Sequence, residues 1–483
     1  MKILFVAAEC APFAKVGGLA DVIGSLPKAL AKLGHEVKIV IPKYKKIDNQ
    51  LYHLEQIRES ELTIPWQTPA LQKNAFILQG TLPHSSVEIY FIWNEHNFGR
   101  DEIYQVNGQD YPDNAERYAF FCQAALVLCK ELQWTPDVIH CHDWQTGLLP
   151  AYLKIYQEDE HICRKIKTVF TIHNLAYQGL VPRERLNGLA MPDWTYTPKF
   201  IEFYGNINLM KSGLVFSDTL TTVSEQYSRE IQTPEYGCGL DGVLIERKQD
   251  LFGIINGIDY EEWNSQHDPT LPASFSISDV SGKLANKKAL LKEVGLPMKR
   301  KDTPVIGLIS RLADQKGFDI IAEAAEELLE LDLQFVILGT GEPKYHELFL
   351  SLQKMEPKKM AINLKFDARL AKLIYAGSDM FLMPSKFEPC GLGQMISLAY
   401  GTVPIVRKTG GLADTIIEYD AKTNTGNGFI FENYTGQELL ATVKRAIAAY
   451  QKKRVWKNLV ENAMASDFSW NASAKKYEAL YQR

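Results

Sequence analysis

The run Ile3-Leu4-Phe5-Val6-Ala7-Ala8, followed by Lys15-Val16-Gly17-Gly18-Leu19, sets how the rest of the chain is read. An unbroken apolar run of this length suits a strand buried on both faces. A helix is predicted next, with Leu19, Val22, Ile23, Leu26, Leu30 and Leu33 on one face and Gly34 placed to end it. Strand, glycine-containing loop and helix are the parts from which an α/β fold makes an anion site. Glycine lets backbone approach a ligand, and the helix N-terminus turns its unpaired N–H groups toward it. Lys15 in the same loop suggests that the anion is a phosphate. A tight turn also needs glycine, so the loop alone decides little.

Working outward, the pattern recurs in a more basic form near the middle of the chain. Val305-Ile306-Gly307-Leu308-Ile309-Ser310 reads as a buried strand, Arg311-Leu312-Ala313-Asp314-Gln315-Lys316-Gly317 follows, and a helical stretch runs from Phe318 to Leu331. Isolated, Arg311 and Lys316 would be ordinary surface charges. Set just after a strand, where open parallel sheets place their ligands, they favour an anion site.

Short apolar runs recur around these two anchors. In the first half they are 38–41, 89–92, 137–140, 168–172 and 219–223; in the second, 305–309, 334–338, 361–364, 380–383 and 403–406. Helical stretches separate most of them, which predicts parallel sheets covered on both faces. Two such series, each opened by strand, anion loop and helix, predict two similar α/β domains. A chain of 483 residues is also too long for one ordinary core. The expected division is 1–255, 256–460 and a C-terminal helical segment 461–483, with the boundary near Ile255-Asn256-Gly257-Ile258-Asp259.

The totals exclude several classes. A net charge of −5 argues against a nucleic-acid binder and against an anionic membrane surface as the main partner. Cys10, Cys122, Cys129, Cys141, Cys163, Cys238 and Cys390 are scattered, with no C-x-x-C pair, which fits a reduced compartment and gives no zinc signature. Met1-Lys2-Ile3 enters a strand directly, and no apolar run is long enough to span a bilayer. The expectation is a cytoplasmic protein.

The chemistry is expected where strands end. Asp143 stands in His140-Cys141-His142-Asp143-Trp144-Gln145, and His173 in Thr171-Ile172-His173-Asn174-Leu175-Ala176-Tyr177-Gln178-Gly179. Three histidines and an aspartate invite a metal reading. The surrounding Asn, Trp and Tyr favour a hydrogen-bonding, aromatic site for a sugar instead. Glu388 lies in Pro384-Ser385-Lys386-Phe387-Glu388-Pro389-Cys390-Gly391-Leu392-Gly393, and Thr409-Gly410-Gly411 opens the helical stretch after 403–406. Each reads blandly as a tight loop. Together, after successive strands, they favour a nucleotide diphosphate held on helix N-termini.

These residues carry a family resemblance. K-V-G-G-L at 15–19, H-D-W at 142–144, H-N-L-A-Y-Q-G at 173–179, N-G-I-D at 256–259, S-R-L at 310–312, Q-K-G at 315–317, F-E-P-C-G-L at 387–392 and T-G-G-L-A-D-T at 409–415 resemble bacterial glycogen synthases and the related starch synthases. The resemblance implies an α/β GT-B fold, two Rossmann-like doubly wound domains with the active site in the cleft between them. It implies a retaining glucosyltransferase that moves glucose from ADP-glucose to the non-reducing end of an α-1,4-glucan primer and releases ADP. It also implies that the last helical segment returns to the first domain.

Residue by residue, the resemblance implies that Lys15, Gly17 and Gly18 meet the diphosphate or glucosyl region. Arg311 and Lys316 would neutralise the departing diphosphate. Glu388 would hold the donor glucose, and His173 and Asp143 would line the sugar site. Thr409, Gly410 and Gly411 would present backbone N–H groups to phosphate, and Asn256 would lie at the cleft. No metal and no pyridoxal phosphate is expected, since protein cations serve the leaving group and no D-x-D motif stands between the domains. One position departs from the wider GT-B group, where a second glutamate that binds ribose often lies eight residues after the first; here it is Ile396. The competing readings are a UDP-glucose-dependent or small-acceptor glucosyltransferase, a phosphorylase, and a glucan-binding scaffold without catalysis. Both a covalent intermediate and attack from the leaving-group face are compatible with retention.

Overall fold

The computed structural model describes residues 1–57, 62–64, 73–106, 108–156, 166–298 and 302–483. Cys163 lies outside them. The chain forms two compact units, Met1–Gly257 with Trp470–Arg483, and Ile258–Ser469.

The sheet of the first unit comprises β1 (Lys2–Val6), β2 (Glu36–Pro42), β3 (Lys73–Thr81), β4 (Glu88–Trp93), β5 (Val138–His142), β6 (Lys167–Ile172), β7 (Thr219–Thr222) and β8 (Leu251–Gly253). Their order is β8-β7-β6-β5-β1-β2-β4-β3. From β8 to β4 every pairing is parallel, while β3 runs antiparallel to β4. Glu55–Gln56 and Leu62–Ile64 add short antiparallel segments to β3. The periodicity of 38–41 and its neighbours predicted the parallel strands and missed this antiparallel edge. A small sheet of Leu180–Pro182, Asn206–Asn208 and Glu202–Phe203 was also missed, because runs of two or three residues carry no readable period.

After β1 the chain passes to β2 on one side, and later to β5 on the other. The crevice where neighbouring connections part is where an open α/β sheet binds ligands. The first helix, Gly18–Lys32, buries Leu19, Val22, Ile23, Leu26 and Leu30, and Gly34 follows it at φ +91°. Leu33, expected on the same face, is only half-buried. Gly24 is required by close approach: a Cβ there would lie 2.8 Å from the carbonyl of Ala11, so the loop after β1 lies against this helix.

The second unit holds β9 (Val305–Ile309), β10 (Gln334–Leu338), β11 (Met360–Asn363), β12 (Met380–Met383), β13 (Val403–Arg407) and β14 (Phe429–Phe431), in the order β11-β10-β9-β12-β13-β14, all parallel. Its switch point lies between β9 and β12. Both faces are covered. Ile306 and Leu308 enter one apolar cluster, with Phe318 and Ile321, and Val305 enters the other, with Leu370 and Ile374. That alternation is the period of two expected of a strand between two helical layers. The helical stretch predicted from Phe318 to Leu331 is two short helices, Phe318–Glu323 and Ala325–Glu330.

The boundaries expected at 255/256 and 460/461 need correction. Asn256 and Gly257 belong to the first unit, and 461–469 stay with the second. The helix Lys453–Ala465 buries Leu459, Val460 and Ala463 in the second unit's cores, which holds that stretch there. The chain re-enters the first unit at helix Trp470–Tyr481. There Ser473 Oγ donates to the Ile255 carbonyl at 2.6 Å, and a Cβ on Gly257 would meet the backbone nitrogen of Trp470 at 2.7 Å.

Candidate active site

In the first unit, the ends of β1, β5 and β6 bring polar groups to the switch point. The loop after β1 delivers Glu9, which the sequence reading missed. Its carboxylate is 4 % exposed; Oε2 accepts the N–H groups of Val16 (2.6 Å) and Gly17 (3.0 Å), and Oε1 accepts the hydroxyl of Tyr104 (2.7 Å). The Gly17 amide, expected to face a phosphate, is thus already taken by the Glu9 side chain. Gly17 and Gly18 are exposed, and Lys15 pairs with Asp21 at 2.5 Å in the first turn of the helix. A signal for Glu9 was available: it is the first charged residue after the strand that borders the switch point.

Asp143 follows β5 in a conformation that side chains rarely adopt, φ +57° and ψ 179°. Such strain persists where the surroundings over-determine it, and it clusters at functional sites. Here Asp143 Oδ1 accepts the N–H of His173 at 2.7 Å, tying the end of β5 to the end of β6. Burial pushes its carboxyl up to about 7, partly opposed by the N–H groups of His173 and Asn174. His173 Nε2 lies 3.0 Å from His142 Nδ1, and burial holds His173 down to about 3, so its ring is neutral at physiological pH. His140 and His142 are also held well below the ordinary histidine range by burial. A neutral imidazole beside a carboxyl with a raised pKa suits hydrogen bonding to a sugar better than charge neutralisation. Among the described residues no group of three His, Cys, Asp or Glu side chains is arranged to hold a metal ion. Trp144 fixes the loop after β6: a Cβ on Gly179, at φ +63°, would meet the Trp144 ring at 2.4 Å.

In the second unit the switch point is charged. Lys316 Nζ pairs with Glu388 Oε2 at 2.7 Å, and the Ser385 hydroxyl donates to the same oxygen at 2.9 Å. The side chains are 17 % and 8 % exposed. Glycine makes this meeting possible. Gly317, at φ +75°, lies where a Cβ would be 2.0 Å from the Pro384 carbonyl, so the loops after β9 and β12 press together. Lys386 N–H to Gln315 carbonyl (2.8 Å) and Gln315 Nε2 to Phe387 carbonyl (3.1 Å) sew the seam. Gly410 and Gly411 do the same from the loop after β13, with Cβ positions 2.0 Å from the carbonyls of Glu388 and Cys390. Thr409 is buried at the N-cap of the helix Gly410–Thr415. Thus Lys316, Glu388, Thr409, Gly410 and Gly411 are brought together as one packed corner.

Arg311 is not drawn into the ion pair. It is exposed, and its guanidinium has no hydrogen bond or ion pair among the described residues. Glu388 Oε1 likewise has no partner among them, leaving one carboxylate oxygen able to accept. Asn256 is 5 % exposed in the first unit, and its Oδ1 has no partner among the described residues. Ile396 is buried in the helix Gly393–Ala399.

Residues 2–246 match the model of the starch synthase catalytic domain, and residues 297–463 match that of glycosyl transferases group 1. A glycogen synthase of Geotalea daltonii is 46 % identical over all of this chain and 98 % of its own length, and one of Thermosipho melanesiensis is 47 % identical over all of this chain and 99 % of its own. The chain belongs to the glycogen synthase family. The family is one of glycosyltransferases, and this chain is an enzyme of that kind. The catalytic domain of Starch Synthase IV from Arabidopsis thaliana, bound to ADP and acarbose, superposes with a TM-score of 0.91 at 36 % identity, covering all of this chain and 98 % of that one. Sucrose-phosphate synthase from Thermosynechococcus elongatus, at 15 % identity and a TM-score of 0.59, shares the GT-B fold. The family's two matched segments fall on the two units, each with its own switch point.

Proposed function

We propose that the chain transfers glucose, with retention, from ADP-glucose to the non-reducing end of an α-1,4-glucan and releases ADP. The observation that carries this reading is the Lys316–Glu388 pair at the switch point of the second sheet, in a family with a structural relative bound to ADP and acarbose. Cleaving a sugar–phosphate bond builds negative charge on the diphosphate and positive charge at the anomeric carbon. Fixed cations aimed at the leaving group stabilise that transition state more than the ground state.

Lys316 spends one N–H on Glu388 and keeps its charge next to the diphosphate, while the unpaired Arg311 supplies a second cation. Glu388, with Oε2 occupied and Oε1 open, accepts from a glucose hydroxyl. The backbone of Thr409, Gly410 and Gly411 lies beside it, but the Thr409 N–H donates to the Arg407 carbonyl and the Gly411 N–H to the Glu388 carbonyl, so these two expected phosphate donors are already engaged. In the first unit, the neutral His173 ring and Asp143 hold sugar hydroxyls, Lys15, Gly17 and Gly18 approach the donor, and Asn256 carries a buried Oδ1 with no partner among the described residues. The reaction needs neither a divalent metal nor pyridoxal phosphate, because protein cations serve the leaving group. Among the described residues no helix is long and apolar enough to cross a membrane, which is consistent with a cytoplasmic enzyme.

The test supplies ADP-glucose and UDP-glucose separately with a glucan primer and follows nucleotide release. Labelled glucose should enter polymer from ADP-glucose, survive prior chelation of divalent ions, and be freed by an α-1,4-specific amylase. Equal or better use of UDP-glucose would reassign the donor. No transfer from either would favour the scaffold reading.

A further inference from the structure

His140 and His142 stand two apart on β5, so they fall on one face of the strand, and both are fully buried. Their ring centroids are 4.1 Å apart, and Phe5 packs against both, 4.9 Å from His140 and stacked on His142 at 5.5 Å. His140 is satisfied at both nitrogens, by Tyr481 Oη at 2.8 Å and Thr171 Oγ1 at 2.6 Å. His142 is not. Its Nδ1 meets His173 Nε2 at 3.0 Å, while its Nε2 is buried without a hydrogen-bond partner among the described residues.

A bond between two neutral imidazoles admits two proton arrangements. If His173 Nε2 donates, then His142 Nδ1 is bare and its proton sits on Nε2, as a buried N–H with nothing to receive it. If His142 Nδ1 donates, the orphan is a bare ring nitrogen. Orphaned buried N–H groups are the rarer and costlier defect, so the second arrangement wins. We propose that His142 is a positioning residue: its Nδ1–H donates to His173 Nε2, which fixes the His173 proton on Nδ1 and presents that nitrogen as a hydrogen-bond donor. Nδ1 of His173 has no partner among the described residues, so it is the end left for a ligand. A sugar hydroxyl or ring oxygen, acting as acceptor, matches it. A bare nitrogen there would instead demand a donor, and the two tautomers therefore select different orientations of the same hydroxyl. The role given to the sugar rests on the proposed function; the tautomer does not.

The tautomer is read by nitrogen-15 NMR of histidine-labelled full-length enzyme, with His173 assigned by its loss in His173→Gln. The expected result at neutral pH is a protonated Nδ1 and a bare Nε2 on His173. A protonated Nε2, or an imidazolium, would overturn the proposal. In His142→Leu the constraint is gone and both tautomers should be populated; an unchanged His173 signal would also overturn it. His142→Asn places an amide N–H where Nδ1–H stood and should restore the Nδ1-protonated form. Turnover should follow the same order, falling about five- to tenfold in His142→Leu, the size of one hydrogen bond, with recovery in His142→Asn. If the tautomers behave as expected but His173→Gln turns over normally, the placement of His173 at the sugar fails while the His142 assignment stands.

Discussion

The two switch points obey one topological rule and solve opposite electrostatic problems. On β5 and at the end of β6 burial works against charge: it holds three imidazoles neutral and raises the Asp143 carboxyl to about 7. At the ends of β9, β12 and β13 a lysine and a glutamate are paired, and Arg311 stands exposed nearby in sequence. Desolvation decides the first case, because no opposite charge is close enough to repay it. In the second, each charged side chain has the other as its partner. The lesson is that a common strand order fixes where a ligand is met, while local burial and pairing fix what chemistry is offered. Hydrogen bonds to a neutral sugar suit the first, and neutralisation of a diphosphate suits the second.

This contrast can be broken most directly at the ion pair. Lys316→Met leaves Glu388 buried without its counter-charge and should cost about 3–5 kcal/mol in urea unfolding. Adding Glu388→Gln should return part of that loss. An unaltered double-mutant cycle would mean that the pair is not coupled. Lys316→Ala should also lower turnover on the order of 100-fold or more, about 2.7 kcal/mol, and Arg311→Ala should lower turnover while leaving stability nearly unchanged. Near-normal turnover in both would remove the leaving-group role. Gly410→Ala tests the packing behind the pair: with a Cβ 2.0 Å from the Glu388 carbonyl and φ at +43°, it should cost about 1–3 kcal/mol and depress activity with it.

The first unit is probed by pH. The folded-state value of Asp143 lies above its unfolded value, so the folded protein binds the extra proton between about 4 and 7; this group's contribution falls as pH rises through that window. His173, held to about 3, does the opposite: the unfolded chain binds the extra proton, and stability rises with pH up to about 6.5. His140 and His142 add to that rise. Asp143→Asn should therefore gain stability relative to the parent between pH 4 and 7, and His173→Gln should flatten the rise below 6.5. Denaturation curves at four pH values read both slopes. Parallel curves for parent and variants would show that burial does not control these groups.

Much of the fold was legible in the chain itself. The apolar runs 38–41, 89–92, 334–338 and 380–383 lie in strands because a parallel strand buried on both faces needs an unbroken apolar stretch, and that is a local property. Gly34 and the loops around 317, 391 and 410 were legible for the same reason, since positive φ is a property of one residue. The motifs at 142–144, 173–179, 310–317 and 387–392 named the family. Local reading could not find Glu9 closing on Val16 and Gly17, nor the pairing of Lys316 with Glu388 across 72 residues, nor the bond from His142 to His173. It also placed the return of the chain at 461 instead of Trp470, because helical periodicity runs through both segments and cannot say which core each one joins. Sequence periodicity records which side of an element is apolar. Which polar atom meets which, and hence whether a carboxyl is ionised or an imidazole keeps its proton on one nitrogen, depends on burial and distance, and only the packed tertiary structure sets those.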